Sequence, residues 1–437
     1  MTDGPDTIFA PASGHGRAAI AVIRLSGPRS HAALAALTGA PPPPPRRLSL
    51  RTLRAPATGE VLDRALVAWL PGPRTVTGED MAELHLHGGL AVRAAVLRAL
   101  AAVPGLVPAE AGAFTRRAFL NGRMDLTAVE GLADLIDAET EAQRRQALRQ
   151  LDGVLGRRVE AWRAALLDGL ARTEAALDFS DEGDVDDDTL AAGIAAAAAP
   201  VRDSVRAALA DGRRGERLRD GFTVVLAGAP NAGKSTLLNA LARRDAAIVS
   251  DVPGTTRDAI EVRCDLGGLP VLLVDTAGLR ESADSVEAEG VARSRRRMAQ
   301  ADLVLWLTET GEAPPAGLGR VLRVRTKSDL AGGSRDASLA ISARTGAGLD
   351  RLLAALEAAA QDALGAGDAV VTRERQRIAL ERCAAHLDRV VAAHAATPPE
   401  LVAEDLRLAV RALGEVAGRV GVEEVLDRLF SSFCIGK

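Results

Sequence analysis

Apolar positions follow two rhythms along this chain, and the rhythm changes several times. Near the N-terminus, short apolar runs alternate with Gly and Pro. Ala19-Ile20-Ala21-Val22-Ile23 and Ala65 to Leu70 predict strands, and the five prolines Pro41 to Pro45 predict a loop or spacer. From about Leu126 to Leu177 the spacing becomes helical, with few breakers. The acidic stretch Asp178 to Asp188 reads as a solvated loop, and a further helical stretch leads to Asp220. From Phe222 short β runs appear at Phe222 to Ala227, Val271 to Val274, Leu303 to Leu307, Val321 to Val324 and Leu339 to Ile341. Helical patterns lie between most of them, as in a mainly parallel α/β sheet. Helical spacing returns from about Thr372 to Phe430. The simplest organisation is one helical domain interrupted by an inserted α/β module.

Length and composition narrow this picture. At 437 residues the chain is long for one domain, and about two to four are expected. A hydrophobic fraction of 47% supports full cores, but only 2% of residues are aromatic and Tyr is absent, so no platform for stacking bases is evident. A net charge of −4 argues against a general nucleic-acid binder. Cys264, Cys383 and Cys434 are too scattered for a disulfide framework and suit a reducing compartment. The apolar run Ala18 to Ile23 is short and meets Arg24, unlike a signal peptide. The Ala-rich stretch Leu190 to Val201 is too short to span a bilayer. These features predict a soluble cytoplasmic protein with no membrane partner. His85 and His87 share one face of a strand-like alternation, without the Cys or carboxylates of a metal site, and read as packing or turn residues.

The chemistry concentrates in the α/β module. Gly228-Ala229-Pro230-Asn231-Ala232-Gly233-Lys234-Ser235 fits GxxxxGK[ST] between a predicted strand and a predicted helix, the context of a P-loop. Its glycines let backbone N–H groups turn toward phosphate oxygens, and the helix N-terminus adds its dipole. Lys234 is expected to reach the β and γ phosphates and Ser235 to bind Mg²⁺, with Thr236 next in the GTP-contact set. Asp275-Thr276-Ala277-Gly278 matches DxxG, in which the Asp meets Mg²⁺ through water and the Gly N–H senses the γ-phosphate. Asp251-Val252-Pro253-Gly254-Thr255-Thr256-Arg257-Asp258 reads as switch I, with Thr256 as the second Mg²⁺ hydroxyl. In Thr326-Lys327-Ser328-Asp329, Asp329 can accept from N1–H and the N2 amine of guanine and would reject adenine, while Lys327 lies along the base. Thr326 replaces the Asn of the usual NKxD, which removes an amide able to meet the base and brace the P-loop. Ser342 and Ala343 resemble the last guanine-contact loop. Leu279 stands where small GTPases place a water-orienting Gln, so either hydrolysis is negligible or another group supplies that function.

Further motifs carry a more specific resemblance. Thr77-Gly78-Glu79-Asp80, His87-Gly88-Gly89, Phe114-Thr115-Arg116-Arg117-Ala118-Phe119-Leu120-Asn121-Gly122, Leu135-Ile136-Asp137-Ala138, Gly254-Thr255-Thr256-Arg257-Asp258 and the terminal Phe433-Cys434-Ile435-Gly436-Lys437 resemble, in order, the MnmE (TrmE) family of tRNA modification GTPases. The resemblance implies a multidomain α/β protein. Residues 1–122 would form an N-terminal α+β domain that binds folate and dimerises. Residues 123–220 and 363–437 would form an all-α helical domain, interrupted by a Ras-like P-loop GTPase domain at 221–362. It implies a homodimer, an α2β2 complex with the flavoprotein MnmG, and an aminomethyl-type (carboxymethylaminomethyl) group placed at C5 of the tRNA wobble uridine. The implied cofactors are Mg²⁺, K⁺ and (6S)-5-formyl-tetrahydrofolate or a related reduced folate.

Carried over by residue, the resemblance makes Asn231, Ser250, the Val252 carbonyl and Thr255 the K⁺ ligands and Glu287 the catalytic carboxylate that positions water. It assigns Arg24, Glu83, Arg123 and Lys437 to folate and brings Cys434 near the transferred carbon. The family often has Lys at the Arg123 position, which changes the hydrogen-bond geometry available there. A regulatory GTPase acting in ribosome assembly is the alternative, and the N-terminal motifs together with the terminal Cys-Ile-Gly-Lys argue against it.

Overall fold

The computed structural model describes residues 6–178, 187–244, 247–248, 261–275, 295–330, 339–365, 369–393, 397–421 and 423–437. They divide into two compact units, Met1–Ala133 with Ala417–Lys437, and Asp134–Val416.

The first unit is α+β. Its elements are β1 (Thr7–Pro11), β2 (Ile20–Ser26), α1 (Ser30–Thr38), β3 (Ser49–Arg54), β4 (Val61–Leu70), β5 (Met81–His87), α2 (Leu90–Ala101), β6 (Leu106–Pro108) and α3 (Ala113–Leu120). The sheet order is β3-β4-β5-β2-β1-β6, antiparallel except where β6 runs parallel to β1. Period-2 alternation sends Ile23, Leu25, Val67, Leu84 and Leu86 to one face, where Leu34 and Leu37 of α1 and Val96 and Leu100 of α2 complete the core. On the opposite face Ile8 and Ala10 of β1 pack with Phe114 of α3, whereas Arg24, Glu83 and His85 sit farther across the sheet. The strands extend beyond the runs that the apolar pattern marks. The remainder of β4 carries Asp63 and Arg64, and β2 continues through Arg24 to Ser26.

The Thr-Gly-Glu-Asp motif is a joint of this unit. The buried Ser26 hydroxyl donates to Glu79 at 2.7 Å, Arg117 donates to Glu79 at 2.8 Å, and Asn121 donates to the Thr77 carbonyl at 2.7 Å. The C-terminal helix Glu423–Ser432 lies against α3, where Arg116 pairs with Asp427 and stands over the Phe430 ring, 5.5 Å from its centroid. The final residues reach the sheet: Ile435 bridges Ala111, and a Cβ on Gly436 would lie 1.8 Å from the Pro11 carbonyl oxygen. With φ at +99°, position 436 requires glycine for both reasons.

The unit boundary falls within α4 (Leu126–Asp137). The second unit continues with α5 (Glu141–Leu151), α6 (Val154–Asp178), α7 (Asp187–Ala210) and α8 (Gly212–Asp220). The predicted helical stretch to Leu177 is broken between α4 and α5, where Thr140 and Gln143 form a reciprocal capping box, and again at Gly153, whose φ is +75°. The α/β module follows: β7 (Phe222–Gly228), α9 (Lys234–Ala242), β8 (Ala247–Ile248), β9 (Glu261–Leu266), β10 (Leu269–Asp275), β11 (Leu303–Thr308), β12 (Val321–Arg325), β13 (Leu339–Ala340) and α10 (Leu349–Leu364). Its sheet runs β13-β12-β11-β7-β10-β9-β8. The first five strands are parallel, and β9 and β8 extend it antiparallel. Helices α11 (Glu374–Ala392) and α12 (Pro399–Ala417) close the unit, and α11 packs along α7. Helices before and after the α/β module therefore pack together, and the module is an insertion. Cys264 and Cys383 are buried free thiols, pushed by burial up to about 11 and about 12. Among the described residues no helix is long and apolar enough to cross a membrane.

Candidate functional site

The site at the end of β7 grows from a local rule. The strand runs apolar through the middle of the sheet, and the loop then turns sharply enough that Asn231 and Gly233 take positive φ of 64° and 90°. Gly233 caps α9, so the helix starts at Lys234 with its N-terminal amides facing the loop. The Lys234 ammonium folds back on the loop, donating to the Gly228 carbonyl at 3.0 Å and the Ala229 carbonyl at 2.9 Å. The next residue, Ser235, donates its hydroxyl to Asp275 Oδ2 at 2.7 Å. Asp275 is wholly buried at the end of β10, the parallel neighbour of β7, so register alone places it there. A hydroxyl and a carboxylate side by side form a hard-oxygen donor set that suits Mg²⁺.

Three loops meet beside this cradle. The Ser328 amide donates to the Ile341 carbonyl at 3.0 Å, and the Ile341 amide donates to the Arg325 carbonyl at 2.8 Å, which ties the Thr-Lys-Ser-Asp loop to the Ser342-Ala343 loop. The Ser342 hydroxyl and a backbone N–H hydrogen-bond the Asp329 carboxyl and, with Arg344 nearby, hold it below the usual carboxylate range. Asp329 is thus an ionised, exposed acceptor. Lys327, at φ 54°, pairs its ammonium with Glu309 at the end of β11. The expected loss of the P-loop brace at position 326 does not occur: the buried Thr326 hydroxyl donates to the Ala232 carbonyl at 2.9 Å. A hydroxyl reaches this carbonyl as an amide would, because strand β12 delivers the residue close to the loop. Glu309 and Arg344 escaped the sequence reading; the only signal was a charge directly following a strand or motif.

Asn231, Ala232, Gly233, Lys234, Ser235, Thr236, Asp275, Thr326, Lys327, Asp329, Ser342 and Ala343 are all described within one unit. Ser250, Asp251, Val252, Pro253, Gly254, Thr255, Thr256, Thr276, Ala277, Gly278, Leu279 and Glu287 lie outside the described residues.

A second cluster occupies the first unit. Strand register sets Arg24 opposite Glu83, and Arg24 Nε and Nη2 donate to Glu83 Oε1 at 3.1 and 3.0 Å. His85 Nε2 lies 3.3 Å from Glu83 Oε2, so this histidine, read from the sequence as a packing residue, belongs to the cluster. Glu83 and Arg24 are about three-quarters covered, with 21% and 25% of their side chains exposed, which leaves both within reach of a ligand. Ala10 pairs with Arg24, and the neighbouring Pro11 meets Gly436, so backbone continuity brings Lys437 to the same end of the sheet. Arg123 lies beside Gly78 in the Thr-Gly-Glu-Asp turn. Cys434 is exposed. His87 pairs instead with Asp63, at 2.7 Å, at the end of β5.

Comparisons with known proteins agree with this architecture. The family model described as "GTP-binding protein TrmE N-terminus" matches residues 7–123, and "MnmE helical domain" matches residues 126–434. The tRNA modification GTPase MnmE of a Methylobacterium species is 76% identical over 99% of this chain and 100% of its own length. Those of Methylorubrum populi and Azorhizobium caulinodans are 72% and 56% identical, each over all of both chains.

Proposed function

The chain belongs to the MnmE (TrmE) family of tRNA modification GTPases, and from that premise we propose that it hydrolyses GTP to drive modification of the tRNA wobble uridine at C5. The observation that carries this reading is the joint placement of Lys234, Ser235 and Asp275 at the ends of two parallel strands. Lys234, which donates to the Gly228 and Ala229 carbonyls, exchanges these partners for β and γ phosphate oxygens, and the amides at the start of α9 orient those oxygens. Ser235, Thr256 and Asp275 would hold Mg²⁺, which would neutralise charge on the phosphates. Asp329 accepts from the guanine N1–H and N2 amine. Asn231, Ser250, the Val252 carbonyl and Thr255 would hold K⁺, which would supply positive charge for the phosphoryl transfer. Glu287 orients the attacking water, the task that Leu279 cannot perform.

The Arg24–Glu83–His85 cluster is the proposed reduced-folate site, completed by Arg123, Lys437 and Cys434. A carboxylate can take paired donors from a pterin edge, and guanidinium groups can take the carboxylates of the folate's glutamate. Homodimerisation through the first unit is supported by an apolar row across four strands of the same sheet face, formed by Leu50, Leu66 and Val22 around His85. Leu50 and Leu66 are 65% and 42% exposed. The carboxymethylaminomethyl product and an α2β2 assembly with the flavoprotein MnmG complete the reading.

Single-turnover hydrolysis in KCl and NaCl tests the catalytic half. Hydrolysis should be fast in KCl alone, and Glu287→Ala should slow it on the order of 10²–10⁴-fold while GTP affinity persists. Equal rates in both salts would remove the K⁺ role, and a fast variant would remove Glu287. Mass spectrometry of wobble uridines from cells lacking the protein tests the other half, with unmodified C5 expected.

A further inference from the structure

Position 326 holds Thr where the usual guanine-binding pattern has Asn. A hydroxyl has one proton to give. The Thr326 hydroxyl lies 2.9 Å from the Ala232 carbonyl and 3.5 Å from the Thr308 carbonyl. Both partners are acceptors only, so Oγ1 is the donor, and the shorter contact takes the proton. Lone pairs alone remain on Oγ1. Guanine presents acceptors at N7 and O6 on its outer edge, and lone pairs offer these no hydrogen bond. An asparagine amide has two protons and could serve a carbonyl and a base together.

The surroundings make this contact the tie between cradle and base reader. The Thr326 amide donates to the Thr308 carbonyl at 2.9 Å, and Ser328 and Ile341 lock the two base loops to each other. Ala232 precedes the Gly233 cap of α9, and its own carbonyl accepts the Thr326 proton. We propose that Thr326 is a positioning residue: its hydroxyl locks the phosphate cradle to the base-reading loop and contributes nothing to base choice, which falls to Asp329. The inference rests on the GTP reading of the site.

The test uses the full chain with Mg²⁺ and measures affinity for GTP and for ITP, which lacks the N2 amine. Thr326→Val keeps the shape and removes the proton. It should weaken both nucleotides equally, by about tenfold, as expected for one hydrogen bond to a buried carbonyl. Thr326→Ser should restore wild-type affinity, and hydrogen exchange at the Gly233 and Lys234 amides should quicken in Thr326→Val only. Thr326→Asn should bind both nucleotides several-fold tighter than wild type, about one further hydrogen bond to the base. It also carries the test if the valine variant fails to fold. Asp329→Asn should, by contrast, narrow the GTP-over-ITP ratio. Wild-type affinity in Thr326→Val, a changed GTP-over-ITP ratio in that variant, or unaltered affinity in Thr326→Asn would each overturn the assignment. A wild-type chain that binds neither nucleotide would overturn the nucleotide site itself, a failure visible without any variant.

Discussion

The two candidate sites are built in opposite ways. The phosphate cradle is local: Gly228 to Ser235 is one turn between a strand and a helix, and Lys234 satisfies itself on carbonyls five and six residues earlier. The Arg24–Glu83 cluster joins residues 59 positions apart, and strand register does the joining. A local site announces itself in sequence because its backbone needs particular residues at fixed spacing. A register-built site does not, since any strand pair can oppose an Arg and a Glu. The first site should accordingly fail through residues of one turn, and the second both through its paired side chains and through the tail packed against β1.

The largest expected effect separates the two sites. Lys234→Ala should weaken GTP binding on the order of a hundredfold or more, because charge-assisted contacts to two phosphates are lost. Reduced-folate affinity should stay at the wild-type value. Calorimetry with each ligand checks this, and a parallel loss of folate would show that the two sites are not independent. Glu83→Ala and Arg24→Ala should do the reverse, lowering folate affinity by about tenfold to a hundredfold at unchanged GTP affinity. Wild-type folate affinity in both variants would remove the pocket.

Gly436→Ala tests the support of the second site. A methyl group there meets the Pro11 carbonyl at 1.8 Å in a backbone conformation of positive φ. The cheapest relief lifts the last residues off β1. Folate affinity should fall about threefold to tenfold, in line with one strained residue, while thermal stability and GTP turnover hardly change. Undiminished folate affinity would show that the tail takes no part.

The smallest effect concerns thiols. With Cys383 pushed up to about 12 and Cys264 to about 11 by burial, both stay protonated near neutral pH. The thiolate is the reactive form, so the native protein should label with a maleimide at Cys434 alone, on the first unit, and at all three cysteines once unfolded. Labelling of Cys264 in the native state would mean that the α/β core opens readily.

Legibility followed the same division. The central strands β7, β10 and β11 were readable because strands buried on both faces are continuous apolar runs. Strand β9, Glu261–Leu266, was missed because a half-exposed strand of alternating charge lacks that run. The Thr326 motif was legible as a departure from NKxD, yet its consequence was misjudged. Sequence could identify the missing amide but not the distance from a hydroxyl to the Ala232 carbonyl.

What the sequence determined by itself, then, is the nucleotide cradle, the insertion of an α/β module between helical segments, and the family. Each depends on spacing within a short stretch or on motifs in order, and short-range geometry is set by the chain itself. Only the tertiary structure decided that Asp275 meets Ser235, that Glu83 holds Arg24 and His85, and that Gly436 lays the C-terminus against Pro11. Those contacts come from strand register and close packing, which depend on the whole sheet at once and leave no pattern in any local stretch of sequence.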